Sequence, residues 1–168
     1  MPDRQTTWDR PSLPTGWRRF AARLPILLFR CGLGRVFGKR LLLLHHTGRI
    51  TGLDRRVVLE AVEYAPVGGS WTVASGFGPK AAWYQNLQEH PKTVIQLGNR
   101  HHAVTAHFLS PDEGAEIMAG YGRRHHRAAL RLCAFMGIPA DGTDAGFRDV
   151  GRAIPFVRLD VDIDPRLP

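Results

Sequence analysis

The stretch from Arg40 to Arg56, RLLLLHHTGRITGLDRR, decides how the rest of the chain is interpreted. Its apolar run predicts a strand over residues 40–46. The segment TGRITG predicts a turn, because Gly48 and Gly52 are both able to adopt positive φ. A second strand, rich in valine, is predicted over residues 56–64. The stretch therefore predicts a β-hairpin, and the other elements are built outward from it.

The remaining elements alternate short strands with helices. Further strands are predicted at 71–75, 93–97, 102–108 and 154–161. Helices are predicted at 80–90 and at 110–136, the second with a break near Gly122, and residues 141–152 are a loop or a short helix. Six short strands with helices inserted between them predict an α+β protein with a closed or split β-barrel.

The chain is predicted to form one barrel domain, residues 38–168, preceded by a tail and an amphipathic helical arm, residues 1–37. Within the arm, apolar residues recur at helical spacing over 17–37, while most arginines fall elsewhere on the helix. Two interpretations stay open: a helix that packs on the barrel, or a basic helix that lies on an anionic membrane surface. No apolar run reaches the ~20 residues that a spanning helix needs, and no signal-peptide pattern is present, which predicts a protein that is neither spanning nor exported.

The charge of the chain is concentrated in one segment. The net charge is +8, and residues 18–56 hold ten arginines and lysines against the single acid Asp54. This segment should therefore meet an anionic partner: lipid headgroups, a phosphorylated cofactor or nucleic acid. Nucleic acid ranks last, because exposed aromatic residues are not interleaved with the basic run of the barrel. Two distant cysteines, Cys31 and Cys133, without a CxxC motif, favour a reducing cytoplasm.

The turn between the first two strands is the first candidate site. Its glycines allow close backbone approach, so that backbone N–H groups form an anion nest. Its arginines add bidentate contacts to phosphate or carboxylate, and its threonines add hydroxyl donors. These residues are Thr47, Gly48, Arg49, Thr51, Gly52 and Arg55. The alternative is a solvated hairpin turn.

The end of the third strand and the helix after it are further candidates. Ala74-Ser-Gly allows close backbone approach at Gly76, and the Ser75 hydroxyl is placed to hydrogen-bond a flat heterocycle. The helix 80–90 presents its first N–H groups to an anion. On this helix, Trp83 is predicted to be a core residue, whereas Tyr84 and Asn86 are predicted to be more exposed. For each segment the alternative is ordinary packing or a plain turn.

The histidines do not predict a metal site. They occur in adjacent pairs at 45–46, 101–102 and 125–126. Neighbouring residues on a strand point to opposite faces, so the first two pairs cannot chelate one metal ion. The third pair lies among arginines, which repel a cation. No Ser–His–Asp or Cys–His arrangement stands out, and Tyr121, on the later helix, is a candidate for the rim of a pocket.

Taken together, these segments resemble one family. The order is an apolar strand, TGRxTGxxR, an Ala-Ser-Gly strand end, a helix with Trp-Tyr-x-Asn-Leu followed by proline, and a hairpin. This order resembles the deazaflavin-dependent nitroreductases, actinobacterial oxidoreductases that use reduced coenzyme F-420. The resemblance covers roughly residues 38–108 and, more loosely, the closing strand.

The resemblance implies a split β-barrel related to flavin-binding barrels, and it implies roles for the candidate residues. Arg49, Thr51 and Arg55 would hold the phosphate and acidic tail of the cofactor. The remaining implied neighbours of the cofactor are Ala74, Ser75, Gly76, Trp83, Tyr84 and Asn86, and Tyr121 would lie in the substrate pocket.

Two positions depart from the family pattern. Ile50 stands where the family often has lysine, and Gly76 stands where its strand end can carry lysine. The nearby cations that can compensate are Lys80, Arg55 and Arg56.

The resulting hypothesis is a reductase that uses F-420 to transfer hydride to a quinone, nitro compound or enone. Because hydride transfer is the cofactor's chemistry, the protein needs no obvious acid–base triad. The Ser75 hydroxyl or a backbone N–H would stabilise charge on the reduced acceptor. The alternatives are a non-catalytic F-420 or flavin carrier, with FMN as the other cofactor, and a basic membrane- or nucleic-acid-binding module. Peripheral membrane contact and a homodimer are also expected.

Overall fold

The structure is a computed structural model that describes residues 40–162 of the chain, and it closes six strands into an antiparallel barrel. The strands are β1 (Leu41–Thr47), β2 (Asp54–Ala65), β3 (Ser70–Ala74), β4 (Lys92–Leu97), β5 (Arg100–Phe108) and β6 (Phe156–Val161). Their order around the barrel is β1-β2-β3-β6-β5-β4. The predicted α+β class is confirmed, and β1 pairs with both β2 and β4, so the barrel is closed.

Four α-helices and a short 3₁₀-helix, Gly78–Lys80, accompany the barrel in the described residues. The helices are α1 (Ala82–Glu89), α2 (Pro111–Arg124), α3 (His126–Phe135) and α4 (Asp144–Ala153). The chain breaks between α2 and α3 at His125, later than predicted. Gly122 lies inside α2, and Phe147 occupies the space that a side chain at this position would need. The predicted arm, residues 1–37, lies outside the described residues.

The start of α2 follows its local sequence. The Ser110 hydroxyl accepts from the backbone N–H of Glu113, and the Glu113 carboxylate accepts from the backbone N–H of Ser110. This capping box satisfies two N–H groups that a helix end leaves free. α2 then crosses α4 closely, because a Cβ at Gly114 would lie 2.6 Å from the Gly151 carbonyl oxygen. None of the helices within residues 40–162 is long and apolar enough to cross a bilayer.

The apolar residues form two cores. Inside the barrel, Leu42 and Leu44 of β1 pack with residues of every other strand, and Trp83 and Leu87 of α1 join them at one end. The second core lies outside the barrel, where Val62 of β2 packs against α2, α3 and α4. Alternate residues of a strand face opposite sides, so β2 contributes to both cores.

The topology brings the turn after β1 together with α1. β1 and β3 are each antiparallel to β2 and run in the same direction, but β1 ends beside Asp54, whereas β3 ends beside Ala61, further along β2. At the end of β1, Asn86 of α1 contacts Arg49 of the turn. The barrel therefore brings together segments that are about 40 residues apart in sequence.

Candidate functional site

The backbone of the β1–β2 turn is largely bonded to the protein itself. The Gly48 N–H donates to the Leu53 carbonyl over 2.8 Å, and the Gly52 N–H donates to the Gly48 carbonyl over 2.7 Å. The Arg49 N–H donates to Asn86, and the Leu53 N–H points to the Thr51 hydroxyl oxygen. Of the two glycines in the turn, only Gly52 has positive φ, at 68°. The N–H groups of residues 48, 49, 52 and 53 are therefore not free to form the expected anion nest.

Side chains, rather than backbone groups, converge at this turn. A Cβ built on Gly48 would lie 2.7 Å from the Thr51 Oγ1 atom and 3.1 Å from the Arg55 Nε atom. Gly48 is buried, whereas Arg49, Thr51 and Arg55 are exposed. A glycine is needed at 48 because the two side chains occupy the space of its Cβ. The turn thus places the Arg55 guanidinium and the Thr51 hydroxyl together at the surface, next to the exposed Arg49.

Asn86 of α1 holds Arg49 in place. Its Oδ1 atom accepts from the Arg49 backbone N–H over 3.1 Å and from Arg49 Nη1 over 3.3 Å. Its Nδ2 atom lies 2.8 Å from Nδ1 of His46. The expectation that Asn86 is exposed is wrong, because its relative exposure is 2%. The amide links the turn, the helix and the end of β1.

His46 is a site residue that sequence reasoning missed. It is 6% exposed, and burial together with the Arg55 cation on the paired strand lowers the pKa of its imidazole to about 4. The signal was present in the sequence: His46 follows Leu42 and Leu44 on the inward face of β1, and Asn86 lies beside Leu87 and three residues after Trp83 on the inward face of α1.

Ser75 and Gly76 are used by the fold. Ser75 is 1% exposed, and its hydroxyl donates to the Gly78 carbonyl over 2.7 Å. In this arrangement the hydroxyl has neither exposed surface nor a free proton, which contradicts the expected donation to a reduced acceptor. A Cβ on Gly76 would lie 3.0 Å from Met136, so a side chain of the chain itself fills the open space at that glycine.

The remaining candidates divide between core and surface. Trp83 is a core residue as predicted, at 6% exposure. Tyr84 is half-buried and contacts Trp83 and Phe108 edge to face. Lys80 and Thr47 are exposed. Ala74 is half-buried and packs against the outer core, next to the outward face of β2.

Tyr121 lines a cavity on the outward face of β2. The cavity has a volume of about 350 Å³, and Arg40, Val62, Tyr64, Arg124 and His125 also line it. The Tyr121 hydroxyl donates to Glu60 Oε1 over 2.6 Å, and Arg40 Nη2 donates to both oxygens, over 2.8 Å to Tyr121 and 2.7 Å to Glu60. Burial and the neighbouring Glu60 raise the pKa of Tyr121 to about 12. The phenol therefore stays protonated at neutral pH.

One family model matches the chain. The F420H(2)-dependent quinone reductase model matches residues 29–127, which is more than half of the 168 residues. A search among curated protein sequences finds no match.

Solved structures share the fold. One described as an F420-H2 dependent reductase (FDR-A) is 23% identical with a TM-score of 0.49, and the alignment covers 73% of this chain and 95% of that chain. One described as a domain-swapped dimer is 18% identical with a TM-score of 0.51, covering 86% and 100%. The conserved hypothetical protein Rv2991 from Mycobacterium tuberculosis is 14% identical with a TM-score of 0.53, covering 76% of each chain. At these identities the last two support the fold alone.

The pKa of His46 predicts a pH-dependent stability. The unfolded chain binds this proton with the ordinary pKa of 6.5, whereas the folded protein binds it with a pKa of about 4. The free energy of unfolding therefore falls as the pH drops from about 6.5 towards 4. The expected loss between pH 7.5 and pH 5 is about 2 kcal/mol. Urea denaturation at the two pH values measures it.

The matched control is His46→Asn, which cannot titrate in this range and places an oxygen acceptor close to the position of Nδ1. Titration of all other groups is common to both proteins, so His46 accounts for the difference in how steeply their free energies of unfolding change with pH. An equal pH dependence of the unfolding free energy in wild type and variant would contradict the burial of a neutral imidazole.

Proposed function

Because this chain belongs to the F420H(2)-dependent quinone reductase family, we propose which of its residues hold the cofactor and the acceptor. The protein is an oxidoreductase that uses coenzyme F-420, and it reduces a quinone. When bound, the reduced cofactor supplies the hydride. The task left to the chain is to bind, to orient and to exclude water. Nitro compounds and enones are further acceptors within the proposal.

Arg49, Arg55 and Thr51 are the residues proposed to hold the anionic part of the cofactor. The observation that carries this assignment is the convergence of the Thr51 and Arg55 side chains over Gly48. Arg49 follows Gly48 in the chain, and Asn86 of α1 accepts hydrogen bonds from its backbone N–H and its guanidinium. Two exposed guanidinium groups and a hydroxyl form a donor set that fits phosphate or carboxylate. The backbone N–H groups at 48, 49, 52 and 53 have partners in the protein, so the proposed contacts at these four residues come from side chains.

The flat part of the cofactor is proposed to lie near Ala74. This residue ends β3, and Val73 before it pairs with Ala61 of β2. Glu60, the outward-facing residue before Ala61, belongs to the Tyr121 cluster. β2 begins at Asp54 beside the turn and reaches Glu60, so its outward face connects the turn with Ala74 and the cavity. Ser75 supports the strand end through its hydrogen bond to the Gly78 carbonyl.

The cavity beside Tyr121 is proposed to receive the acceptor. Its walls combine an apolar side, formed by Val62 and Tyr64, with donors from Arg40 and from the Tyr121 hydroxyl. A quinone is flat and apolar with carbonyl oxygens at its edge, so it matches such walls. Because Tyr121 is protonated and anchored by Glu60 and Arg40, the cluster offers donors in fixed positions without gaining or losing protons at neutral pH.

The assembly and location of the protein are also proposals. A cytoplasmic protein agrees with Cys133, which is buried and free. Homodimer formation is suggested by the neighbour described as a domain-swapped dimer.

Contact with an anionic membrane is suggested by Ile50 and Leu53, which are 84% and 62% exposed beside the arginines of the turn. In co-sedimentation, we expect binding to vesicles that contain phosphatidylglycerol and little binding to neutral vesicles; equal recovery would contradict the contact.

Replacement of Arg49 should weaken cofactor binding selectively. We expect Arg49→Ala to raise the dissociation constant for F-420 by roughly 5- to 150-fold, as the loss of a charge-assisted contact does. The fluorescence change of F-420 on titration measures it. The control is Arg56→Ala, which removes the same charge from the outward face of β2, where Arg56 pairs with Asp54 at 3.4 Å. A similar rise in the dissociation constant for both variants would mean that only the net positive charge matters, and not the position of Arg49.

Replacement of Tyr121 should affect the acceptor and not the cofactor. We expect Tyr121→Phe to lower kcat/KM for menadione by about tenfold, with the dissociation constant of F-420 little changed. The control is Tyr64→Phe, which deletes the hydroxyl of another residue that lines the cavity but leaves the Glu60 cluster intact. Steady-state kinetics with reduced F-420 measure both. A fall in kcat/KM of the same size in both variants would contradict a specific role of Tyr121.

A further inference from the structure

Three residues from three different elements form a continuous chain of hydrogen bonds. His46 lies at the end of β1, Asn86 lies on α1, and Arg49 lies in the turn. The contacts are 2.8 Å from His46 Nδ1 to Asn86 Nδ2, and 3.1 and 3.3 Å from Asn86 Oδ1 to the backbone and side chain of Arg49. The first two residues are almost fully buried, whereas Arg49 is exposed. The chain therefore runs from the end of the barrel interior to the surface.

The chemistry of the donors fixes where the protons are. The backbone N–H and the guanidinium of Arg49 only donate, so the amide atom that both approach is the oxygen Oδ1. The amide nitrogen Nδ2 then faces His46, and it too only donates. Nδ1 of His46 must accept, which leaves the ring proton on Nε2 of a neutral imidazole.

The surroundings of His46 keep it in that form. Arg55 lies opposite on the paired strand, and Asp54 and His45 are its other charged or titratable neighbours in the described residues. Burial and the Arg55 cation disfavour a second cation on the ring, and Asp54, which is more exposed, offsets them in part. A ring that carried a proton on Nδ1 would face the Asn86 amide donor to donor. The amide would then have to turn its nitrogen towards Arg49, and Arg49 would lose its acceptor.

We propose that His46 is a positioning residue of the cofactor site: through Asn86, its Nδ1 acceptor fixes the amide orientation that holds Arg49 where it meets the anionic part of the cofactor. This inference rests on the proposed role of Arg49. His46 itself touches neither cofactor nor acceptor. Its effect on binding passes through Arg49 alone.

A double-mutant cycle tests this dependence. His46→Leu removes the acceptor while keeping an apolar side chain of similar bulk, and we expect it to raise the dissociation constant for F-420 by roughly tenfold. In the Arg49→Ala background the same change should raise it by less than twofold. Additive effects, with a full tenfold loss in both backgrounds, would overturn the proposal, because a general disturbance of the fold does not depend on Arg49.

Two matched variants separate the acceptor atom from the ring. His46→Asn offers an oxygen near the position of Nδ1 and should restore binding to within about threefold of wild type. His45→Leu makes the same chemical change one residue earlier, on the opposite face of β1. It should leave the dissociation constant for F-420 within about twofold of the wild-type value. Failure of His46→Asn to restore binding, or an equal loss in His45→Leu, would contradict the role of Nδ1.

A measurement on the unmodified protein covers the case in which His46→Leu does not fold. The ¹⁵N chemical shifts of the His46 ring at neutral pH report which nitrogen carries the proton. We expect a proton on Nε2 and none on Nδ1, and a proton on Nδ1 would overturn the inference. The two proposals also fail separately. If Arg49→Ala binds F-420 as wild type does, the proposed cofactor site is wrong; if Arg49→Ala weakens binding but the cycle is additive, only the role of His46 is wrong.

Discussion

The side-chain amide of Asn86 is the contact on which the geometry of the site depends. A buried amide without partners would destabilise the fold by about 1–3 kcal/mol, so its orientation is strongly fixed by the groups around it. Here these groups are His46 inside the barrel and Arg49 on the turn. The same three hydrogen bonds that satisfy the amide also tie an exposed, basic turn to the end of the barrel. A turn of this length would otherwise have only its own backbone bonds to define where Arg49 points.

Closure of the barrel makes this contact possible. β1 is bonded on both edges, to β2 and to β4, so its end cannot move independently of the sheet. α1 is held at the same end because Trp83 and Leu87 are buried among the inward residues of the strands. Apolar burial thus positions the helix, and the polar contact of Asn86 then positions the turn. Burial of apolar side chains stabilises the barrel and the position of α1, whereas the hydrogen bonds of one amide set the direction of the Arg49 guanidinium.

Much of the fold followed from sequence patterns. The Leu41–Leu44 run, the glycine turns and the Ser110 cap predicted strands, hairpins and the start of α2 because each depends on a few neighbouring residues. The burial of Asn86 was missed because a polar residue was expected to be exposed, and His46 was considered only as a metal ligand, although both sit at inward positions of their elements. Ser75 was misjudged in the same way, since it shares the inward face of Trp71 and Val73. The partners of these three side chains come from distant segments, and no local pattern contains that information.

The departure at Ile50 gains a physical meaning from the structure. Its side chain is 84% exposed, so the position faces away from the described part of the chain. With isoleucine there, the proposed cofactor site has one cation fewer than the family pattern. Of the three cations that can compensate, Arg56 pairs with Asp54 on the outward face of β2, and Lys80 lies on the 3₁₀-helix after β3. Arg55 alone of the three converges with Thr51 over Gly48. In the proposed cofactor site, the electrostatic demand thus falls on Arg49 and Arg55, and the placement of Arg49 by Asn86 matters more than it would beside a third cation.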